Sequence, residues 1–488
     1  MGASTLMSVG MRAMAANFAA LQTAGHNIAN ANVEGYSRQQ VELATAQGQY
    51  TGAGFFGRGV DIAGVTRSHN AFLTREAAAT SSQAGADAAR LAQLDRLEAV
   101  FPTGVSGLGY AAGEFLNSMV DLASRPQDSS TRQVVLARAN DVASRFSAAA
   151  AQLDNLQTGV SQDLQNGVAA VNGLAQRIAQ VNDSIARAQG SGQPPNDLLD
   201  QRDQLVAELS THLQVTTIAA DDGTLGVFMA GGQRLVLGTQ AATLRLLPDA
   251  FDVSRSALAI VESGIARPLP QGVVGSGSLG GLLRFQNEDL VAARNQLGQM
   301  ATALSAAVNT QQALGLDLRT PAGSGGPLLA VGAPTALPAS TNGRDAAGNF
   351  ISSVSLVVVD ARALEASEYA LRNDPANAGS YLLTRLSDGL ERSIASGDTV
   401  DGLTVTVGLP APAATDRFLL QPFTRAANEM RSVMSDPRGL AAASPLEAVR
   451  DLTNTGTARV AALTIADASV NPQLTASIDF TDANGSYG

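Results

Sequence analysis

Side chains suited to catalysis or metal binding are few in this chain, and they are widely spaced. The 488 residues include three histidines and no cysteine, so the chain can form neither a thiolate zinc site nor a cysteine nucleophile. His26, His69 and His212 lie far apart, and no H-E-x-x-H or G-x-x-x-x-G-K-[ST] motif is present. We therefore predict no catalytic residue, no metal and no cofactor.

Two further sequence patterns contain residue types that occur in catalytic or phosphate-binding sites. The stretch DLLDQRDQL places Asp197, Asp200 and Asp203 on neighbouring turns of a helix, beside Arg202 and Gln204. We interpret this stretch as a solvated helix face, with a catalytic pair as the alternative. The run GTLGVFMAGG is rich in glycine, as phosphate-binding loops are. It lies between predicted strands, with no helix to present an anion site, and we interpret it as hairpin turns.

Composition and charge exclude several classes of protein. Lys and Arg number 32 against 43 Asp and Glu, which gives a net charge of −11. Because no basic face is visible, we expect no nucleic-acid binding. No segment reaches the ~18 continuous apolar residues of a membrane span, so we predict no membrane insertion. The first residues lack the features of a cleaved secretory signal, so an export route would retain the N-terminus.

The first 30 residues carry apolar side chains at alternating steps of four and three, which is the spacing of a coiled-coil seam. This seam, interrupted at Gly25, consists of Met7, Met11, Met14, Phe18, Leu21 and Ile28. Alanines lie between these positions and would let a second helix approach closely. Two interpretations stay open: an amphipathic helix packed on its own domain, or a helix whose partner lies on another subunit or near the C-terminus.

This helix is predicted to end in an Asn/Gly turn that contains Asn27, Asn30, Asn32, Gly35 and Tyr36. Asparagine tolerates a left-handed backbone and bonds to its own main chain, and glycine supplies the positive φ that a turn needs. Repeated glycines after the turn favour an extended arm. His26 is interpreted as a turn or interface residue rather than a ligand.

Long helices are predicted further along the chain. Ser130 and Gln133 fit a capping box, and apolar residues at steps of three or four predict one helix over residues 131–189. The stripe consists of Val142, Phe146, Ala149, Leu153, Leu156, Val160, Leu164, Val168, Val171, Leu174, Ile178, Val181 and Ile185. Further helices are predicted over 196–213 and along a leucine repeat that starts at Leu283. Together these helices predict a long antiparallel helical bundle or coiled coil.

Short alternating runs joined by glycine turns predict small, mostly antiparallel β domains inserted among the helices. The fold class is therefore multi-domain α + β. The predicted domains are 1–35, the N-terminal helix and turn; 36–88, the extended arm; 89–213 with 279–316, the helical bundle, with a β-hairpin insert at 214–278; 317–347, a linker or loop; 348–445, a β domain; and 446–488, the incomplete start of a further β domain.

Several stretches carry a family resemblance. SVGMRAMAANFAALQTAGHNIANANVEGYSRQQVEL resembles the N-terminal signature of bacterial flagellar axial proteins, which include rod, hook and hook-associated subunits. Many members have Thr-Pro before the Gly-Tyr pair, whereas this chain has Val33 and Glu34. That departure weakens the rod and hook assignment more than the hook-associated one. The stretches SMVDLASRPQDSSTRQVVLARANDVASRF, NDLLDQRDQLVAELS and GGLLRFQNEDLVAARNQLGQMATALSAAVNTQQALGLDL are similar, in order and spacing, to the hook-associated protein 1 family.

The resemblance implies a structural adaptor rather than an enzyme. It would join the flagellar hook to the filament and assemble through terminal helices after export by the flagellar type III pathway. The implied location is extracellular, at the hook–filament junction. The implied partners are copies of the chain in a ring or tube, the hook protein, the second hook–filament junction protein and a flagellar export chaperone. The alternatives are another rod or hook subunit, or a secreted surface adhesin with ligand-binding β domains on a helical stalk.

The resemblance also implies a C-terminal heptad helix that pairs with the N-terminal one. The sequence shows no such helix before Gly488. We expect a truncated chain, with a natural short form as the alternative. Chaperone binding, which lies at the C-terminus in this family, depends on the same question.

Overall fold

The computed structural model describes residues 2–51, 54–189 and 194–449 and, beyond these, only 451–453, 457, 460 and 463–466. The helices of this described part are α1 (Gly2–Ala29), α2 (Ala71–Glu98), α3 (Leu108–Ser124), α4 (Ser129–Gln189), α5 (Asn196–His212), α6 (Ser278–Arg284) and α7 (Leu290–Ala313). A π-helical segment, Phe285–Asp289, joins α6 to α7. Within the described residues, no helix combines the length and the apolarity needed to cross a membrane.

The strands fall into three groups along the chain. The first group is β1 (Gln39–Thr45), β2 (Gln49–Thr51), β3 (Gly54–Phe56) and β4 (Val60–Arg67). The second is β5 (Val215–Ala219), β6 (Leu225–Met229), β7 (Arg234–Leu237), β8 (Gln240–Ala241), β9 (Thr243–Pro248), β10 (Ser256–Glu262) and β11 (Ile265–Pro268). The third is β12 (Leu329–Ala330), β13 (Thr335–Pro338), β14 (Val354–Val358), β15 (Tyr369–Asn373), β16 (Tyr381–Arg385), β17 (Glu391–Ile394), β18 (Thr399–Val400), β19 (Leu403–Val407), β20 (Arg417–Gln421) and β21 (Arg431–Ser432).

These strands form small sheets in which neighbours pair antiparallel. In the first group β1 pairs with β4, and β2 with β3. The second group gives the sheets β5-β6-β7-β8 and β11-β10-β9, and the third gives β13-β20-β15-β16-β17, β14-β19-β18 and the pair β12-β21. The predicted fold class, with long helices and small antiparallel sheets, is confirmed.

The chain divides into two compact units. The first contains Met1–Asp95 and Gln157–Asp289, and the second contains Arg96–Leu156 and Leu290–Gly488. The predicted apolar stripe of α4 contributes to the cores of both. All of its side chains are buried except that of Leu156, which is half-buried.

In the first unit the helices approach closely through small residues. A Cβ atom added to Gly85 of α2 would lie 2.4 Å from the carbonyl oxygen of Thr211 in α5, and one added to Gly281 of α6 would lie 2.2 Å from the carbonyl oxygen of Ala86. Any larger side chain at either glycine would push two helices apart, because the obstacle is backbone rather than a flexible side chain.

The π-helical segment of the first unit holds a fully buried amide, that of Gln286. Its Oε1 accepts hydrogen bonds of 3.0 Å from the Ser256 main chain and from Gln157 Nε2, and its Nε2 donates to the Ser256 carbonyl at 3.0 Å. One side chain thereby satisfies the polar groups at the start of β10.

The second unit contains the first half of α4 and the third group of strands. Arg132 is buried, and its Nη1 donates to the carbonyl oxygens of Pro437, at 3.1 Å, and Leu440, at 2.7 Å. The β domain has its own apolar core, to which Tyr369 and Phe418 contribute large, fully buried rings.

The structure corrects three expectations. The extended arm predicted over 36–88 is wrong beyond Arg67, because α2 begins at Ala71. The predicted start of the helical bundle therefore shifts from residue 89 to Ala71. The linker predicted over 317–347 contains the strands β12 and β13, whose partners come much later in the chain. The capping box at Ser130 and Gln133 is replaced by Asp128, whose carboxylate accepts from the Ser130 and Thr131 main chain.

The further β domain predicted over 446–488 lies mostly outside the described residues.

Candidate functional site

Helix α1 has two different faces. On one face Ala16 is only 3% exposed, and Val9, Ala13 and Ala19 are half-buried. This face packs on β1 and β4. A Cβ atom on Gly59 would lie 3.3 Å from Val9 Cγ1. The small side chains of this face let the helix lie close to the ribbon formed by β1 and β4.

The other face is the predicted seam, and it is exposed. The exposed fractions are 72% for Met7, 64% for Met11, 74% for Met14, 62% for Phe18, 71% for Leu21 and 78% for Ile28. From Met7 to Ile28 the seam extends for about 30 Å at 1.5 Å per residue. A contiguous row of large apolar side chains in water is unfavourable, and such rows on folded proteins mark interaction surfaces.

The turn after α1 is closed by the side chain of Asn27. Its Oδ1 accepts from the Gln39 main-chain N and from Tyr36 Oη, both at 2.8 Å, and its Nδ2 donates to the Gln39 carbonyl at 2.8 Å. Asn27 therefore pairs with both main-chain groups of Gln39, as a neighbouring strand would, and fixes where β1 begins.

The remaining residues of the predicted turn play different parts. Asn30 Nδ2 donates to the His26 carbonyl at 3.0 Å, which satisfies an acceptor at the end of α1. Asn32 is exposed and forms no side-chain hydrogen bond within the described part of the chain. Gly35 has a φ of 78°, a conformation that favours glycine.

Tyr36 lies at the centre of the turn. Its hydroxyl is 3.1 Å from His26 Nδ1, and the two rings meet edge to face with centroids 5.7 Å apart. Burial raises the pKa of the Tyr36 hydroxyl, as do the nearby carboxylates of Asp197 and Asp200. The hydroxyl thus stays protonated and can donate to Asn27. His26 lies in the last helical turn of α1, beside Tyr36.

Helix α5 anchors the turn and the ribbon. Ser37 N donates to Asp200 Oδ2 at 2.9 Å, and Gln39 Nε2 donates to Asp197 Oδ1 at 3.2 Å. Arg67 Nη1 donates to Asp200 Oδ1 at 2.8 Å and to Asp203 Oδ2 at 2.6 Å. The acidic residues of α5 therefore hold both strands of the ribbon at one end, where Gln39 pairs with Arg67.

This anchor corrects the interpretation of DLLDQRDQL as a solvated face. Asp200 and Arg202 are 6% and 7% exposed. Arg202 Nη1 donates to the Gly223 carbonyl at 2.8 Å, and Gln204 Nε2 donates to the Glu34 carbonyl. These side chains therefore contact other segments of the first unit, and those of Asp200 and Arg202 are buried rather than exposed to solvent. The spacing of three puts the acidic residues on one helix face, but no local pattern shows that this face is buried.

The hairpin formed by β2 and β3 carries exposed aromatic rings on its strands. Tyr50, Phe55 and Phe56 are 68%, 78% and 54% exposed. The rings of Tyr50 and Phe55 lie 5.5 Å apart. We call these three residues the aromatic hairpin. In a chain whose aromatic content is 4%, three uncovered rings on one hairpin form a second apolar surface.

A groove of about 920 Å³ lies between the last turns of α1 and the start of α5. Its lining includes Thr23, His26, Gln39, Pro195 and Asp197. Gly25, the seam position that lacks a side chain, also lines it, and a Cβ atom there would meet no atom within 4 Å. The seam is therefore continuous with an open depression at its C-terminal end.

The other two histidines each lie beside one polar side chain. His69 Nδ1 lies 3.6 Å from Asp203 Oδ2, and His212 Nδ1 lies 3.1 Å from Ser278 Oγ. Among the described residues, no group of three or more His, Asp or Glu side chains is placed to hold a metal ion. The features that stand out are thus surfaces for association.

Known proteins resemble the chain along most of its length. Residues 94–328 match the family described as "Flagellar hook-associated protein FlgK helical domain", and residues 7–36 match "Flagella basal body rod protein". Flagellar hook-associated protein 1 of Escherichia coli K12 is 33% identical over 452 residues, or 91% of this chain and 80% of that protein. The Bacillus subtilis protein of the same name is 31% identical over 245 residues, or 47% of this chain and 48% of that protein.

A solved structure gives the same result. The structure of the flagellar hook junction protein FlgK from Burkholderia pseudomallei matches with a TM-score of 0.68 at 29% identity, covering 76% of this chain and 66% of that one. This chain therefore spans just under two thirds of that solved chain.

Proposed function

This chain belongs to the flagellar hook-associated protein 1 family, and we propose that it is a hook–filament junction subunit that assembles through the seam of α1. As a family member it is a structural protein of the bacterial flagellum. The observation that carries the proposal is the exposed row of six large apolar side chains from Met7 to Ile28.

The spacing of the seam specifies the kind of contact. Alternating steps of four and three present side chains as knobs to a second helix. Burying one large apolar side chain contributes roughly 1.5–3 kcal/mol. Six such side chains in one row supply enough free energy to offset the ordering of a partner helix. The partner helix is either another segment of the chain or part of a neighbouring subunit.

The turn and its anchor determine the direction in which the seam faces. Because α1 packs on β1 and β4 through Ala16, the seam must face away from the ribbon. The bonds of Asp200 to Ser37 and Arg67 hold the ribbon on α5. The seam is thereby presented on a rigid support, which lowers the entropy lost on association.

The aromatic hairpin offers a second exposed apolar surface. Tyrosine and phenylalanine are enriched at protein interfaces because they bury much area with few rotatable bonds. We infer that Tyr50, Phe55 and Phe56 contact a neighbouring copy of the chain in a ring or tube. The turn motif, Asn27 to Tyr36, would set the angle between this contact and the seam.

Family membership supports the specific partners and the location that we propose. The proposed partners are other copies of the chain, the hook protein, the second hook–filament junction protein and a flagellar export chaperone. The proposed location is the extracellular hook–filament junction, reached through the flagellar export pathway without a cleaved signal. None of the relatives reported above is an adhesin, and we do not propose that alternative.

Phe18→Asp tests the proposal, because it places a charge in the middle of the seam. We expect the variant protein to be secreted and folded but absent from hooks, and the cells to lose motility. Asn17→Asp is the matched control, since Asn17 is exposed on α1 and lies off the seam. Normal incorporation of Phe18→Asp at the junction would overturn the proposal.

A further inference from the structure

Methionine is concentrated on the seam. The chain contains nine methionines, and three of them are Met7, Met11 and Met14, with exposed fractions of 72%, 64% and 74%. Met300 is the next most exposed of the described methionines, at 49%, whereas Met229 and Met430 are buried at 1% and 4%. The methionines most accessible to a solute are therefore those of the seam.

The chain contains few other side chains that an oxidant would modify readily. Cysteine and tryptophan are both absent, so the thioether of methionine is the side chain most readily oxidised here. Leucine would fill the same seam positions with a similar volume. The choice of methionine thus adds a reactive sulfur to an apolar surface where packing does not require one.

We propose that Met7, Met11 and Met14 form an oxidation site whose modification by peroxide blocks assembly through the seam, an inference that rests on the function proposed above. In this step the thioether sulfur attacks one oxygen of hydrogen peroxide, and the O–O bond breaks. The sulfur gains an oxygen atom and is oxidised by two electrons. The peroxide is reduced, and its other oxygen leaves as water.

The sulfoxide changes what the seam can pack against. Its oxygen accepts hydrogen bonds, but the seam side chains are Met, Phe, Leu and Ile, which have no donor to offer. A partner helix would therefore bury three polar groups without partners. Burying one polar group without a partner costs about as much free energy as a tenfold loss of affinity. Burying three of them therefore weakens association by about tenfold or more.

Oxidation acts on the free subunit and spares its fold. The seam faces away from β1 and β4, and α1 is held by its opposite face, on which Ala16 is buried. Once a partner helix covers the seam, the sulfurs lose their exposure. The site would therefore stop oxidised subunits from entering the junction, while subunits already assembled are protected.

The first test measures which sulfurs react. The purified full-length chain is treated with hydrogen peroxide, and its peptides are mapped by mass spectrometry over time. We expect Met7, Met11 and Met14 to oxidise about tenfold faster than Met229 and Met430, because oxidation follows exposure. Equal rates at seam and buried methionines would overturn the proposal, and circular dichroism checks that the fold survives the treatment.

The second test measures binding to hooks isolated from cells that lack this subunit. Binding is compared before and after peroxide for the wild-type chain, for Met300→Leu and for the triple variant Met7→Leu, Met11→Leu, Met14→Leu. We expect the treated-to-untreated ratio to fall about tenfold for the wild type and for Met300→Leu, and to stay near one for the triple variant. Methionine sulfoxide reductase should restore binding by the oxidised wild type.

The outcomes separate the two proposals. If Phe18→Asp fails to bind while the oxidised wild type binds as well as the untreated protein, the oxidation site is wrong and the function stands. If Phe18→Asp binds normally, the seam is not the assembly surface, and both proposals fall.

Discussion

Arg67 Nη1 lies 2.8 Å from Asp200 Oδ1, and the two side chains are only 10% and 9% exposed. The pair joins the end of β4 to α5, across 133 positions of the chain. Asp200 also accepts from Ser37 N, just before β1 and at the same end of the ribbon, where Gln39 pairs with Arg67. This one carboxylate therefore holds both strands at one end of the ribbon on which α1 packs.

Removing Arg67 should destabilise the first unit, because Asp200 and Asp203 would lose their cation in a buried setting. We expect Arg67→Met to lower the unfolding free energy by about 3 kcal/mol or more. Urea unfolding followed by circular dichroism measures this loss. The control is Arg12→Met, whose pair with Asp61 is 34% and 54% exposed and contributes at most about 1 kcal/mol. Equal losses for the two variants would contradict the anchor role of Arg67.

Asn27 and Asn32 belong to the same turn but should respond differently to truncation. Asn27→Ala removes the partner of the Gln39 main chain and of the Tyr36 hydroxyl, and we expect a loss of about 1–3 kcal/mol. Asn32→Ala removes an exposed side chain and should change stability by no more than about 0.5 kcal/mol. Hydrogen exchange at Gln39 gives a local measure, since its amide bonds to Asn27 Oδ1. Similar protection in the two variants would show that Asn27 does not close the turn.

The aromatic hairpin should matter for assembly but not for folding. Phe55→Ser with Phe56→Ser removes rings that are 78% and 54% exposed, so the stability of the free chain should change by no more than about 0.5 kcal/mol per site. We expect weaker incorporation at the junction, because two interface rings are lost. Val253→Ser, at a side chain that is 82% exposed, is the control. Full incorporation of the double variant would exclude the hairpin as a subunit contact.

The β domain of the second unit should lose stability in acid. Hydrogen bonds from Ser393, Asn377 and the Ala376 main chain lower the pKa of Asp374 from 3.8 to about 2. A depressed pKa gives stability that is present above the unfolded value and is lost as pH falls through the folded value. The loss therefore runs from pH 3.8 down to about 2.

Melting temperature measured against pH tests this prediction. Asp374→Asn should flatten the slope below pH 3.8 and leave a residual slope from Asp388, whose pKa the Arg385 side chain also lowers to about 2. An unchanged slope in Asp374→Asn would show that other groups govern the acid sensitivity.

Features set by local periodicity could be predicted from the sequence. The stripe of α4 is one example, because residues three and four apart share a helix face wherever the helix packs. The exposure of the seam could not be settled in this way, since the same heptad pattern fits a covered face. Its exposure depends on Ala16 and its neighbours packing on β1 and β4.

Two features were not predicted from the sequence: the start of α2, which has a local signal, and the burial of Asp200, which has none. The first part of helix α2, before Leu91, lacks an apolar stripe, because it packs through small residues such as Gly85 and Ala86. Its local signal was Asn70, whose Oδ1 accepts from Phe72 N at 3.0 Å and Leu73 N at 3.3 Å as a helix cap does. The burial of Asp200 had no local signal, since its cation lies far away in the sequence.

The same distance along the chain has a consequence for the order of folding. The contacts of the turn join residues that are 9 to 12 positions apart, so they can form as soon as the first few dozen residues are free to fold. The bonds to Asp200 span 133 and 163 positions. In a chain synthesised from its N-terminus, α1 with its exposed apolar seam and the ribbon are therefore made before Asp200, the residue that anchors them. During that interval the apolar surface is present without its support, and delaying its helix formation until the tether is available would protect the nascent chain from premature association.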